Sequence, residues 1–593
     1  METAILEIRA WIESDTSRPS GRRAERYRSF DFHSPFVWRP DSAAVSSVLA
    51  ALLFTASGTA AAPTATPSGK IWQSDGSAAN IQRIHDRQAS DGDTITIPKG
   101  TFSWTTYLIL TKKITIQGQT TTNAPSSSTS NDLTIIQDNL SRSTDRPMIM
   151  LNSPGGQRIS GITFTVGTVT QPSNYSVIDF GVGASNPIRI DHVVNNTLYR
   201  NNFVTAGGTY NYGVVDHCVL HAGGINVDPA NGGGPQGDEA WAAPTGFGGP
   251  NFFFVEDNNQ DTSSSPNAIA AIANITAGGK VVVRHNVIKG NTILLALHSI
   301  GMTSPWRRSG RASEVYNNTV TQTKAGTDLA GSTGGPTYWY NNTFVGSIMP
   351  RAIDLGYYRT IQNFGSPFYG ADGQNAWDYN VTESDGTHVD GHPPYLFDSG
   401  TLSAASGSTI TDSTKNWSTN RWRGYSIRRP SDGATAVISS NTNNTLSIGQ
   451  WQSQGFAAGN TYEIHKAIRV LDQPGLGAQI GTMNRNNPRW MQQATEPCYS
   501  WNNKDQNNNL VNFITASSGA TIIEGRDYFN NTPMPGYTPY TYPHPLTTSL
   551  PPPQPRAGSP QQVQKKRKKW GQAKGGWGKP KKIPANEMAQ PEQ

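Results

Sequence analysis

Cysteine is nearly absent from the 593-residue chain, which holds only Cys218 and Cys498. Two thiols so far apart in sequence make neither a disulfide framework nor a zinc-ligand set. They read as buried free cysteines. Charge is scarce as well, at 15% of residues. Helical bundles and coiled coils need abundant Ala, Leu, Glu and Lys, so that class is excluded. No apolar run is long enough to span a bilayer. A basic body is also missing. The net charge is +6, but residues 551–593 carry ten Lys or Arg against two Glu, leaving 38 basic and 40 acidic residues in the first 550. A near-neutral body argues against nucleic acid as the partner.

What the chain has instead is 59 Gly and 39 Pro, with Ser, Thr and Asn between short apolar runs. That composition points to a β-rich, turn-rich protein. Residues 1–62 read as an N-terminal extension plus signal peptide, because AAVSSVLAALLFTASGTAAA has an apolar centre followed by small residues suited to cleavage. The expectation is a secreted or cell-surface protein. Residues 551–593 form a Pro-rich linker and a basic tail without apolar periodicity, expected to be disordered and able to touch an acidic envelope surface.

The middle of the chain repeats itself. A pattern of apolar-x-apolar-x, a polar pair and a further apolar residue recurs as IRIDHVV, GVVDHCVL, FFVEDNN, VVVRHNVI, SEVYNNTV, YWYNNTF and AWDYNVT. Alignment puts His192, His217, Asp257, His285, Asn317, Asn341 and Tyr379 in one column, at steps of 25, 40, 28, 32, 24 and 38 residues. Irregular steps around one period describe a solenoid coil with loops of variable length. The next column reads Val193, Cys218, Asn258, Asn286, Asn318, Asn342 and Asn380. Stacked Asn side chains at a solenoid corner tolerate left-handed backbone and hydrogen-bond along the axis.

On these repeats the chain resembles the secreted right-handed parallel β-helix proteins of the pectin lyase-like superfamily. The expected fold is all-β: a right-handed parallel β-helix over residues 68–396 and 470–546, with an N-terminal helical cap. Residues 397–469 change to short alternating strands and read as a small inserted β module. Its Trp417, Trp422, Tyr425 and Trp451 are either a sugar-stacking platform or the module's own core.

The resemblance implies β-elimination on a uronic-acid polymer, which needs a base beside a clamp for the carboxylate. Lys289, His298, Arg307 and Arg308 are the candidate catalytic residues, since two possible bases flank a loop of guanidinium groups. Arg311, Glu314 and Trp241 are candidates for substrate binding. Asp238 and Glu239 supply hard oxygen ligands for Ca²⁺, the ion the resemblance implies. Two departures stand out. Thr303 occupies the place of the first Arg in the pectate lyase Arg-x-Pro-x-x-Arg motif, and Val215-Asp216-His217, similar to an Ile-Asp-His element, belongs to the repeat itself. The expected function is therefore a monomeric lyase acting on an acidic polysaccharide, with a non-catalytic adhesion protein and a glycoside hydrolase as the alternatives.

Overall fold

The computed structural model describes residues 69–548 with breaks, the longest at 229–239, 264–272, 298–309, 356–395 and 466–495. Each coil of the chain lays one strand in each of three parallel sheets, of 12, 10 and 10 strands. These are called sheets A, B and C in the order in which a coil visits them. One coil runs through Lys280–Arg284 in A, Val287–Gly290 in B and Leu295–Leu297 in C, then returns to A at Ala312–Tyr316. The fold is a right-handed parallel β-helix. The helix Ala78–Arg87 caps its N-terminal end, with Ser77 accepting from the Asn80 backbone N–H at 3.2 Å and Ile81 and Ile84 buried against the first coils.

The turn from A to B explains the repeat. From His192 onward it takes a left-handed non-glycine residue, with φ of 53° at His192, 52° at His217, 55° at Asp257, 57° at His285, 56° at Asn317, 54° at Asn341 and 52° at Asn502. Asn, Asp and His are the non-glycine residues that adopt this region most readily. The following residue builds the ladder. Asn286 Nδ2 donates to Asn318 Oδ1 at 3.0 Å, Asn318 Nδ2 to Asn342 Oδ1 at 3.0 Å, and Asn342 Nδ2 to Asn503 Oδ1 at 2.9 Å. Each amide also binds a backbone carbonyl, as Asn318 does to Val283 O at 2.9 Å. The buried side chains thereby replace the turn's missing backbone partners.

One part of the expected column is corrected. The rung above Asn341 and Asn342 is Asn502 and Asn503, not Tyr379 and Asn380, because Tyr340 pairs directly with Trp501 and Thr343 with Lys504. Residues 379 and 380 lie outside the described residues. The chain leaves the solenoid after Ile353–Leu355 and rejoins it at Cys498–Trp501. Within that excursion a seven-stranded antiparallel sheet runs from Leu396 to His465. It has its own core of Leu402, Ile410, Trp422, Tyr425, Ile427 and Tyr462, with Trp417 packed against it. These aromatics are therefore spent on packing, whereas Trp451 lies outside the described residues. Cys218 and Cys498 are both free and fully buried.

The outer face of sheet A is closed by the chain's own C-terminal segment. Arg158 reaches Asp191 at 2.6 Å, Arg189 reaches Asp216 at 2.8 Å and Arg284 reaches Glu256 at 2.6 Å, so each guanidinium ties one coil to its neighbour. Residues 537–548 then lie across this row. Arg284 donates to Tyr540 O at 2.8 Å and Thr541 O at 2.9 Å, while Glu256 accepts from the His544 backbone at 2.8 Å. Tyr316, Tyr340 and Trp501 continue the face as a stack with ring centroids 4.5 and 4.3 Å apart.

Two substitutions test this arrangement. Asn318→Ala removes an acceptor and a donor from the middle of the ladder and is expected to cost about 1 to 3 kcal/mol in urea denaturation, the usual penalty for stranding buried polar groups. Arg284→Met strands Glu256 and releases two strap carbonyls. A loss of about 3 to 5 kcal/mol is expected, as for removal of one partner of a buried pair.

Candidate functional site

Three of the sequence candidates, Lys289, Arg311 and Glu314, are among the described residues, and these three lie apart. Lys289 stands exposed on the outer face of sheet B, in an ion pair with Asp261 at 3.2 Å. Arg311 and Glu314 were expected to line the same groove, but both are fully buried elsewhere. Arg311 Nε donates to Ala240 O at 2.9 Å, and burial brings its pKa down to about 10. Glu314 lies on the outer face of sheet A, where Gly248 N donates to it at 2.7 Å and Tyr537 OH forms a further short hydrogen bond. Burial pushes its pKa up to about 7. Neither side chain can meet a polymer, because the segments that cover them are already docked. His298, Arg307, Arg308, Trp241, Asp238 and Glu239 lie outside the described residues. Among the described residues no cluster of three or more His, Cys, Asp or Glu is placed to hold a metal ion.

Asp216 and His217 behave as corner residues. His217 Nδ1 meets Asp216 Oδ2 at 2.9 Å while the same carboxylate holds Arg189, and the His217 ring stacks on His192 with centroids 5.3 Å apart.

A different pair of carboxyl groups emerges on the outer face of sheet C. Strand Ile178–Phe180 turns Ile178 and Phe180 into the core, so Asp179 must point out. Register aligns Asp179 with Thr205, Asn226 and Asn274 on successive coils, one half-buried polar side chain per rung. Rungs lie about 4.8 Å apart. Asp228 follows strand Ile225–Val227 and is held by its backbone N–H to Ala206 O at 3.0 Å. Between the two acids, on the intervening coil, stands Gly207. A Cβ there would meet Phe180 O at 3.4 Å, Asp179 Oδ1 at 3.5 Å and the backbone carbonyl of Asp228 at 3.9 Å, so position 207 is bordered by the Asp179 carboxyl and the Asp228 backbone.

The electrostatics of the pair are asymmetric. Burial is the main cause that pushes the Asp179 pKa up to about 7, the negative charge of Asp228 adds to it, and a hydrogen bond from Phe180 N opposes it. Asp179 is then a carboxylic acid that still carries its proton near neutrality. Farther along the row, Asn274 Nδ2 donates to Asn226 Oδ1 at 3.2 Å. Asn274 Oδ1 is buried without a hydrogen-bond partner among the described residues, as is Thr276 Oγ1 one step beyond the strand. In the sequence Asp179 announces itself only by breaking an apolar strand, VIDF. Pairing with Asp228 depends on register and was not visible.

The fold defines the class as a right-handed parallel β-helix protein, with a row of half-buried polar side chains on the outer face of one sheet. No family model matches the chain, and no curated protein matches it. Among solved structures it is similar to an alginate lyase from Paenibacillus sp., at 12% identity over 46% of this chain and 95% of the lyase, with a TM-score of 0.28. A second is a tailspike protein of the Acinetobacter baumannii bacteriophage Fri1, a capsular polysaccharide depolymerase. It shows 9% identity over 68% of this chain and 82% of the tailspike, with a TM-score of 0.24. Identities and TM-scores this low leave the function to be read from the site itself. No helix among the described residues is long and apolar enough to cross a membrane.

Asp179 also generates a stability prediction. The folded state keeps its proton up to pH about 7, whereas the unfolded carboxyl loses it near about 3.9. Between those values the folded chain binds more protons, so this residue's contribution to stability is present at acid pH and is lost as pH rises through 7. In thermal melts from pH 5 to pH 8, Asp179→Asn should remove that part of the decline and gain on the native protein at pH 8.

Proposed function

We propose that the chain is a secreted polysaccharide depolymerase that hydrolyses glycosidic bonds on the outer face of sheet C. The single observation that carries this reading is the outward column of half-buried polar side chains on sheet C, headed by Asp179, whose pKa burial and the nearby charge of Asp228 push up to about 7. Secretion rests on the apolar segment with small residues at 43–62. Two carboxyl groups in unequal environments are what acid–base cleavage of an acetal requires.

In this reading a polymer lies along the rungs with a glycosidic oxygen at Asp179. The Asp179 O–H donates its proton to that oxygen as the bond to the anomeric carbon breaks. Asp228 accepts a proton from a water molecule, whose oxygen forms the new bond to the same carbon. The proton on Asp228 and the one missing from Asp179 re-equilibrate through solvent after the products leave. Asp179 aligns with Asn226 and Asp228 lies two residues farther along that strand, so two strand spacings and two residues put the two backbones roughly 12 Å apart, a span the side chains shorten. Carboxyl separations of roughly 6.5 to 9.5 Å belong to inverting hydrolases and about 5 to 5.5 Å to retaining ones, so the anomer released reads the separation. Asn226 and Asn274 would hold sugar hydroxyls on the adjacent rungs.

β-Elimination remains the competing chemistry. It draws on His298, Arg307 and Arg308, which lie outside the described residues, and on Lys289, which sits on another sheet. A calcium site at Asp238 and Glu239 would show itself as activity lost to a chelator and regained with Ca²⁺.

The test is a panel of neutral and acidic polysaccharides assayed for new reducing ends. Asp179→Asn and Asp228→Asn should each lower turnover by at least about a hundredfold, the scale of a lost general acid or base. The native rate should fall on the alkaline side with an apparent pKa near 7, where Asp179 loses its proton. Both variants retaining full turnover would place the chemistry elsewhere.

A further inference from the structure

The capping helix and the first coil form a cleft of about 620 Å³ at the N-terminal end of sheet C. Its floor is Ile109, and register carries that position through Met150 to Asp179, so the cleft and the carboxyl pair share one outward column. Only two rungs separate them. Arg83 and Arg87 line one wall of the cleft. They are four residues apart on the helix Ala78–Arg87, which puts both guanidinium groups on one face. Both belong to the exposed side of that helix, and neither has a salt-bridge partner among the described residues.

The facing wall carries Tyr107, which is 37% exposed. Arg146 lies over one side of its ring at 5.0 Å and donates to its hydroxyl at 2.9 Å, which fixes the ring in place. The acidic member of the cleft is already engaged. Asp86 accepts from Gln82 at 2.8 Å and meets His85 Nδ1 at 2.7 Å, and Gln82 itself is bound to the backbone of Ile109. The cleft therefore presents two guanidinium groups without a salt bridge among the described residues and an aromatic ring, beside the hydrogen-bonded Asp86 carboxylate.

We propose that this cleft is a binding subsite for an anionic sugar residue, one bearing a carboxylate or a sulfate, on the polymer that Asp179 and Asp228 cleave. The proposal rests on the reading of sheet C as the cleavage face and adds the substrate's charge to it. Arg83 and Arg87 hold the anionic group by charge-assisted hydrogen bonds, and the apolar face of the sugar rests on Tyr107. Separating the two functions makes chemical sense. An anionic group beside Asp228 would meet a like charge, whereas two rungs away it meets Arg83 and Arg87.

The test is affinity electrophoresis of the full chain through gels holding a polyuronate, a sulfated polysaccharide or a neutral glucan. The native protein should be retarded by an anionic polymer and not by the glucan. The double variant Arg83→Ala/Arg87→Ala should weaken that retention by about tenfold or more, the scale of losing charge-assisted bonds. Tyr107→Phe should bind like the native protein and Tyr107→Ala more weakly, with melting curves confirming that each variant is folded. Retention by the polyuronate alone identifies a carboxylate, and retention by both anionic polymers identifies charge alone. Equal retention of native and Arg variants, or equal retention by the glucan, would overturn the subsite. Reducing ends are measured in parallel. Anionic binding that depends on Arg83 and Arg87 without cleavage would sink the hydrolase reading and leave the subsite standing.

Discussion

Every outward column in this protein depends on the corner between sheets A and B. From Asp257 onward a left-handed residue followed by a laddered Asn turns the chain at each described coil. Asn258, Asn286, Asn318, Asn342 and Asn503 then fix the coils in register through side-chain amides. Along the laddered coils that corner admits no insertion, and length variation falls elsewhere: before the ladder, between Gln117 and Thr134, and within it after Val227, Leu297 and Leu355, between sheet C and sheet A.

Register has a second consequence, since it decides which faces remain available. Sheet A spends its outer face on the arginine–carboxylate row, the aromatic stack and the C-terminal segment. The hairpin around Thr121–Asn131 covers Val194, Val219 and Asn259 on sheet B, with Asn259 Nδ2 donating to Pro125 O at 2.9 Å. On sheet C the outward column keeps half-buried polar side chains in sequence: Asp179, Thr205, Asn226 and Asn274. Burial there pushes the Asp179 pKa up to about 7, and among the described residues no segment is bonded across that column.

Much of the architecture was legible in the sequence, because the left-handed corner restricts its residues to His, Asp and Asn and so prints a column. The same column misled at Tyr379 and Asn380. AWDYNVT carries the pattern, yet strand pairing passes directly from Tyr340 to Trp501. The candidate site was much less legible. Clusters of charge along the sequence drew attention to Lys289, Arg311 and Glu314, and three-dimensional packing scatters these over sheet B and two buried positions. Asp179 and Asp228 are separated by two coils and by no motif. Only the coiling of the chain places Asp228 two rungs and two residues from Asp179, and no pattern in the linear chain encodes that.

The central claim is that this face adds water across a glycosidic bond. Digestion of a cleaved polymer in oxygen-18-enriched water, with mass spectrometry of the fragments, reads that chemistry directly. Hydrolysis at Asp179 and Asp228 predicts one solvent oxygen in every new reducing end and no unsaturated sugar. Fragments that carry an unsaturated terminal residue and no solvent oxygen would contradict the account and assign the reaction to elimination.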